Sequence, residues 1–237
     1  MLNVLSNALS GLKTFSRKLQ AGANNVANVS TSGFKASRVD TTSIRSGGVT
    51  AITSSRTNTQ GSIETTGNAL DLAISGKGFF QLGLADGGTG FTRAGNFKVD
   101  QAGTLVTSGG NPIIPAVALP GNRQGVSIGS TGEVSGQVDG EAVNAGQIQL
   151  ASFGNPAGLS SAGGNILLQS NTSGPPTLSN PGAEGLGTII SGALETSNVD
   201  LTGEMVDQIV NKNAFKANAN IIKAADEMTG TILDIKG

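Results

Sequence analysis

The chain has 237 residues, a formal net charge of −1, only 13% charged residues and no run of like charges, so it offers no basic face to neutralise phosphates, and no nucleic-acid partner is expected. Histidine, cysteine, tryptophan and tyrosine are all absent. Their absence removes the commonest general base, the thiol nucleophile, imidazole and thiolate metal ligands, disulfides and the best stacking platforms, so no catalytic, cofactor-binding or metal-binding residue is expected.

The start, Met1-Leu-Asn-Val-Leu-Ser, has neither a basic segment nor a continuous apolar core, which predicts no cleavable secretory signal. Nowhere do about 18 apolar residues run together, as a membrane-spanning helix requires. From Leu2 to Val26 apolar residues recur at gaps of three and four: Leu2, Leu5, Leu9, Leu12, Leu19, Ala23 and Val26, interrupted by Ser16. With no proline in it, this heptad seam predicts a helix with an apolar stripe. Arg17-Lys18 reads as its solvated side. Gly11 and Gly22 each cost it about 1 kcal/mol against alanine. Asn24, Asn25 and Asn28 close the stripe with side chains that both donate and accept, suited to capping the helix or bonding a neighbour.

Residues 36–66 carry few large apolar groups and read as an extended connector. Beyond it, to residue 194, short apolar or alternating runs at Leu70 to Ile74, Phe79 to Leu84, Thr104 to Val106, Ile113 to Leu119 and Gln147 to Phe153 are separated by Gly, Asn and Pro turn signals. Short strands at that spacing predict an all-β domain. Gly76-Lys77-Gly78-Phe79-Phe80 reads as a tight turn feeding a core strand, because no Gly-Lys-Ser/Thr ending makes it a phosphate loop. Arg93-Ala94-Gly95-Asn96-Phe97 reads as a turn bearing a core aromatic, with Arg93 expected to pair with Asp71 or Asp100.

The C-terminal segment returns to helical spacing. Val206, Val210, Ala214, Ala217, Ile221, Ala224, Met228 and Ile235 form one stripe, widened by Ile209, Phe215, Ile222, Ala225 and Ile232. So broad an apolar face needs more than one neighbour. Asp200 is the expected N-cap, with Glu204 in the first turn and Lys236 near the end. The fold class that follows is α+β and discontinuous: a coiled-coil-like helical domain from both termini (1–35 and 195–237) with an all-β domain (67–194) inserted. Periodicity leaves open whether the stripes pair within one chain or between copies.

Three blocks carry a family resemblance. The stretch Ala23-Asn-Asn-Val-Ala-Asn-Val-Ser-Thr-Ser-Gly-Phe-Lys35 resembles the N-terminal signature of flagellar rod and hook proteins. Gly67 to Phe80, followed by Phe91 to Phe97 and Asp100 to Val106, is similar to the start of that family's inner β domain, and Gly192 to Asp200 to its C-terminal helix entry. The resemblance singles out Gly33, Phe34, Lys35, Asp71, Gly78, Phe79, Phe80, Arg93, Gly95, Phe97, Glu195 and Asn198 as structural motif residues. With the stripes, it implies a polymerisation interface at Leu5, Leu9, Leu12, Leu19, Asn24, Asn25, Asn28, Val206, Val210, Ile221 and Met228.

What the resemblance implies is a self-assembling, non-enzymatic subunit whose terminal helices form a helical tube around an export channel. It further implies neighbouring rod and hook proteins as partners, torque transmission, and delivery by the flagellar type III export apparatus. The insert is too short for the extra outer β domain of many hook proteins, which favours a rod protein over a short hook protein. The connector after Gly33-Phe34-Lys35 is shorter than is usual in a distal-rod subunit, so proximal and distal rod both stay open. A carbohydrate-active β scaffold would need a carboxylate pair among Asp71, Asp86, Asp100, Glu133, Asp139 and Glu141, and no spacing singles one out. A coiled-coil adhesin would need a signal or anchor that the sequence does not display.

Overall fold

The computed structural model describes residues 2–45, 47–119, 125–138 and 141–234. The chain is α+β and divides into two compact units, one of Met1–Val29, Ala36–Thr57 and Val199–Gly237, the other of Ser30–Lys35 and Asn58–Asn198.

The first unit is built from two long helices and a hairpin. Helix α1 runs Leu2–Ala27 and helix α2 Leu201–Asp234, as the heptad spacing predicts. Asp200 caps α2: its Oδ1 accepts the Thr202 amide at 3.1 Å and its carbonyl accepts the Glu204 amide at 2.9 Å. Lys236 and Ile235 lie outside the described residues. Much of the segment expected as an extended connector is instead an antiparallel hairpin, β1 (Ser37–Ser43) and β2 (Val49–Arg56), with a register shift between Asp40 and Thr41. Its tip turns through Gly47 and Gly48, at φ 93° and 90°.

The second unit contains β3 (Ile63–Thr65), β4 (Leu72–Ser75), β5 (Phe79–Gly83), β6 (Thr89–Thr92), β7 (Phe97–Val99), β8 (Leu105–Thr107) and β9 (Ser127–Ile128). It continues through β10 (Glu133–Val138), β11 (Glu141–Gln147), β12 (Leu150–Ser152), β13 (Ser160–Gly163), β14 (Ile166–Leu168), β15 (Thr177–Ser179), β16 (Thr188–Ser191) and β17 (Ala193–Glu195). A six-stranded sheet takes the order β13-β14-β6-β5-β12-β15, and a three-stranded one β11-β10-β9. The pairs β16-β4, β17-β3 and β7-β8 complete it, and every strand pairing is antiparallel. The run Ile113 to Leu119, expected as a strand, makes isolated bridges from Ile113 to Leu82 and from Ala118 to Thr104.

Because successive strand residues point to opposite faces, Phe79 and Phe80 enter different cores. Phe80 joins Leu72, Ile74, Leu82, Phe97, Leu105, Ile148, Leu150 and Ile189, and its ring meets Phe97 edge-on at 5.1 Å. Phe79 joins Phe91, Ala151, Phe153, Leu159 and Leu167, and the Phe91 and Phe153 rings meet edge-on at 4.8 Å. Leu150 and Ala151 divide between the same two cores on the neighbouring strand.

Candidate assembly surface and buried motif cluster

Helix α1 carries three side-chain stripes with different tasks. The first is small and polar and faces α2. A Cβ added to Gly11 would stand 2.6 Å from Asn218 Oδ1, and one added to Gly22 would stand 3.2 Å from Glu204 Oε2. Residue 11 therefore meets 218 and residue 22 meets 204, so the helices pack antiparallel. The two glycines that weaken α1 in isolation are points where α2 side chains lie close. Asn25, 2% exposed, donates to Glu204 Oε1 at 2.6 Å at the end of this stripe.

The second stripe holds the hairpin. Asn25 donates to the Ser37 carbonyl at 2.8 Å and accepts the Ser37 amide at 2.9 Å, in the manner of a neighbouring strand. Ser10 accepts the Val49 amide at 3.2 Å. One end of α1 thus grips the base of β1 and the other the start of β2. Asn28 bonds back to the Asn24 carbonyl at 2.9 Å and ends the helix, while Asn24 itself is exposed.

The third stripe is the apolar one, and it has no inward task. Leu9 is 48% exposed, and Leu5, Leu12 and Leu19 are only half-buried. On α2, Val206 (55%), Ile209 (61%), Val210 (57%), Ile221 (45%) and Met228 (52%) are exposed together with Met205. The inward face of α2 is instead Glu204, Gln208, Asn211, Phe215, Asn218, Ile222, Ala225 and Thr229, a heptad displaced from the apolar stripe. Sequence reasoning named Phe215, Ile222 and Ala225 as widening the apolar stripe but missed the small and polar members of these inner stripes; their signal is the same 3-4 spacing carried by Gly, Ala, Ser, Thr and Asn.

In the second unit the motif residues converge on one carboxylate. Glu195, at the end of β17, has a fully buried side chain. Its Oε1 accepts from Lys35 Nζ at 2.5 Å and from the Gly61 amide at 2.9 Å, and its Oε2 pairs with Arg93 at 3.2 Å. Lys35 also donates to the Thr59 carbonyl at 2.7 Å, and Arg93 to the carbonyls of Gly76 at 2.7 Å and Ile74 at 3.4 Å. The Arg93 guanidinium lies 5.3 Å from the Phe79 ring centroid. The pairing of Arg93 with Asp71 or Asp100 is thus overturned. Asp71 accepts from the Thr66 hydroxyl at 2.7 Å and Asp100 from the Thr104 amide at 2.8 Å, both local turn bonds, whereas Glu195 is fully buried beside Arg93.

Around this cluster the Gly33 amide donates to the Glu195 carbonyl at 2.7 Å and the Asn198 amide to the Phe34 carbonyl at 3.4 Å, while the Asn198 side chain donates to the Thr59 carbonyl at 3.0 Å. Gly33, at φ 67°, and Gly95 sit where backbone approaches backbone: a Cβ on Gly95 would fall 1.6 Å from the Leu72 carbonyl oxygen. Gly78, at φ 128°, turns the chain into β5. Burial pulls the Lys35 ammonium below its ordinary pKa, with the Glu195 carboxylate opposing and the Arg93 charge reinforcing the shift. Burial lowers Arg93 likewise, opposed by Glu195.

Three family models match in chain order: flagella basal body rod protein at residues 5–35, flagellar hook protein FlgE/F/G D1 domain at 73–136, and flagellar basal body rod FlgEFG protein C-terminal at 190–235. Each contributes one member of the buried cluster: Lys35, Arg93 and Glu195. Over the full length of both chains, the sequence is 39% identical to the flagellar basal-body rod protein FlgG of Bacillus subtilis (strain 168). The chain belongs to the flagellar basal-body rod protein family. A second rod protein FlgG, from Buchnera aphidicola subsp. Acyrthosiphon pisum (strain APS), is 38% identical over 87% of this chain and 89% of its own length.

The similarity to a hook protein is narrower. Flagellar hook protein FlgE of Treponema pallidum (strain Nichols) is 36% identical over 60% of this chain and 24% of its own length. The rod-family chain is accordingly a structural subunit of the flagellar basal-body rod, as the length of the insert leads one to expect. Among the described residues no helix is long and apolar enough to cross a membrane. Of the carboxylates a glycosidase would need, Asp71, Asp86 and Asp100 each bond within their own turns, and Asp139 lies outside the described residues.

Proposed function

We propose that this rod subunit polymerises through its terminal helices. The outward apolar faces of α1 and α2, set by Leu5, Leu9, Leu12 and Leu19 on one and Val206, Val210, Ile221 and Met228 on the other, pack against further copies of the chain. The single observation that carries this reading is the exposure of Leu9 on α1 and of Val206, Val210, Ile221 and Met228 on α2. Apart from Phe215 and Ile222, small and polar residues occupy the inward seam, whereas a self-sufficient helical pair turns its broad apolar face inward.

In this reading the helices of residues 1–35 and 195–237 make a coiled-coil-like polymerisation domain, hairpin β1–β2 is fastened to it, and 67–194 form the inserted outer β domain. Head-to-tail contacts that do not close generate a helical assembly, here a tube around the export channel that transmits torque and abuts other rod and hook proteins. The work is mechanical rather than enzymatic and requires no small-molecule substrate. Subunits reach the growing end through the flagellar type III export apparatus, and a thiol-free chain suits passage in an unfolded state because no disulfide can trap it.

The test is Leu9→Asp and, separately, Ile221→Asp. Each places a charge on an outward apolar position, harmless in water but costly when buried between subunits. The expected outcome is monomer with unchanged circular dichroism that fails to sediment as polymer and does not restore motility to a strain lacking the protein. Normal polymer and motility from both variants would overturn the reading.

A further inference from the structure

We infer that Lys35 is a releasable clasp that closes the N-terminal chain crossing, residues 30–35, onto a β unit already complete without it. The argument is an asymmetry in one buried cluster. Two cations, Lys35 and Arg93, share the single carboxylate of Glu195, and all three side chains are nine-tenths or more buried. Remove Lys35, and Glu195 remains neutralised by Arg93 and bonded to the Gly61 amide. Remove Glu195, and two like charges are left buried together, each short of its principal acceptor. The three members are therefore unequal: Glu195 with Arg93 is structural, and Lys35 is additional.

Position gives that inequality its consequence. Arg93 ties the turn after β6 to the end of β4 through the Ile74 and Gly76 carbonyls, so its pairing with Glu195 fixes strands inside the β unit. Among the described residues Lys35 reaches Glu195 and the Thr59 carbonyl, both on segments by which the chain enters and leaves this unit. Around Lys35 the crossing is held by the Gly33 amide on the Glu195 carbonyl, the Asn198 amide on the Phe34 carbonyl and the Asn165 side chain on the Ser32 carbonyl. None of these carries a charge. The ammonium is the strongest tie and the one whose removal leaves no buried charge unpaired. The crossing opens as a local event while the sheets stay closed.

Site-resolved hydrogen exchange on the full-length chain tests this. In Lys35→Met the Gly33 amide should exchange roughly ten- to a hundredfold faster, while the amides of β4 and β5 stay within about twofold of the wild type. Unchanged protection at Gly33 would overturn the clasp, and so would equal acceleration across β4 and β5, which would make Lys35 part of the core. A second arm compares Glu195→Leu with Glu195→Leu/Lys35→Met. Removing the stranded ammonium should recover at least about tenfold of the protection in β4 and β5 lost by the single variant. If the single variant does not fold, recovery of soluble protein in the double variant is the readout. A double variant no better than the single one refutes the asymmetry.

Discussion

Gly95 shows how strictly a single backbone position is determined in this chain. Its carbonyl accepts the Leu72 amide at 2.9 Å, and the approach is so close that a methyl group would overlap the Leu72 carbonyl oxygen. Because the obstruction is backbone within a strand, no side-chain rotation relieves it. Gly95→Ala should lose more than about 3 kcal/mol of stability in urea unfolding, whereas Gly87→Ala, in open space at φ 81°, should lose about 1 to 2 kcal/mol from its backbone conformation alone. The sequence marks Gly95 as part of a turn but contains nothing that reveals the obstruction. The same limit applies to Arg93. Local spacing offers Asp71 and Asp100, 22 and 7 residues away, while the actual partner lies 102 residues on, brought near by strand pairing that no pattern in the chain encodes.

At the scale of elements, what is legible depends on whether apolar periodicity created the element. Both helices are readable end to end because their leucine, valine and isoleucine positions recur at heptad spacing. Hairpin β1–β2 is not, because it is rich in Ser and Thr and is fastened to α1 by side-chain amide and hydroxyl groups rather than by an apolar face. Asn25 is central to that fastening, since one side chain serves both the Ser37 backbone and Glu204. Asn25→Ala leaves the Ser37 amide, the Ser37 carbonyl and the Glu204 carboxylate each without that partner. The expected cost is about 2 to 3 kcal/mol, concentrated as faster amide exchange in β1 and the last turns of α1, with β4 and β5 unaffected. Uniform loss of protection across the chain would instead make Asn25 a global determinant.

For the whole molecule, the balance of apolar groups differs sharply between the two units. The β unit buries most of its large side chains in two cores, with Leu72, Ile74, Phe80, Leu82, Leu105, Ile148 and Leu150 at 0% exposure. Among the described residues of the helical unit, the fully enclosed positions are small or polar, Ala8, Gly11, Thr14, Gly22, Asn25 and Ala225, while its large apolar groups are either half-buried, as Leu12 and Phe215 are, or exposed, as Leu9 and Val210 are. Burial of apolar surface supplies most folding free energy, at roughly 25 cal/mol per Å², so the helical unit of a lone subunit must be the weaker. Apolar periodicity shows that these helices need neighbours, but not which stripe stays inside, because apart from Phe215, Ile222 and alanines the inner heptad is spelled in residues that hydrophobicity does not register. Urea titration of dilute monomer should therefore give two transitions, helical ellipticity falling first and the environment of the β-unit phenylalanines changing later. Polymerisation should move the first transition to higher urea and leave the second nearly fixed, since binding stabilises the unit whose exposed face it covers. A single coincident transition in the monomer would mean that the small and polar seam holds the helices as firmly as the two cores hold the sheets.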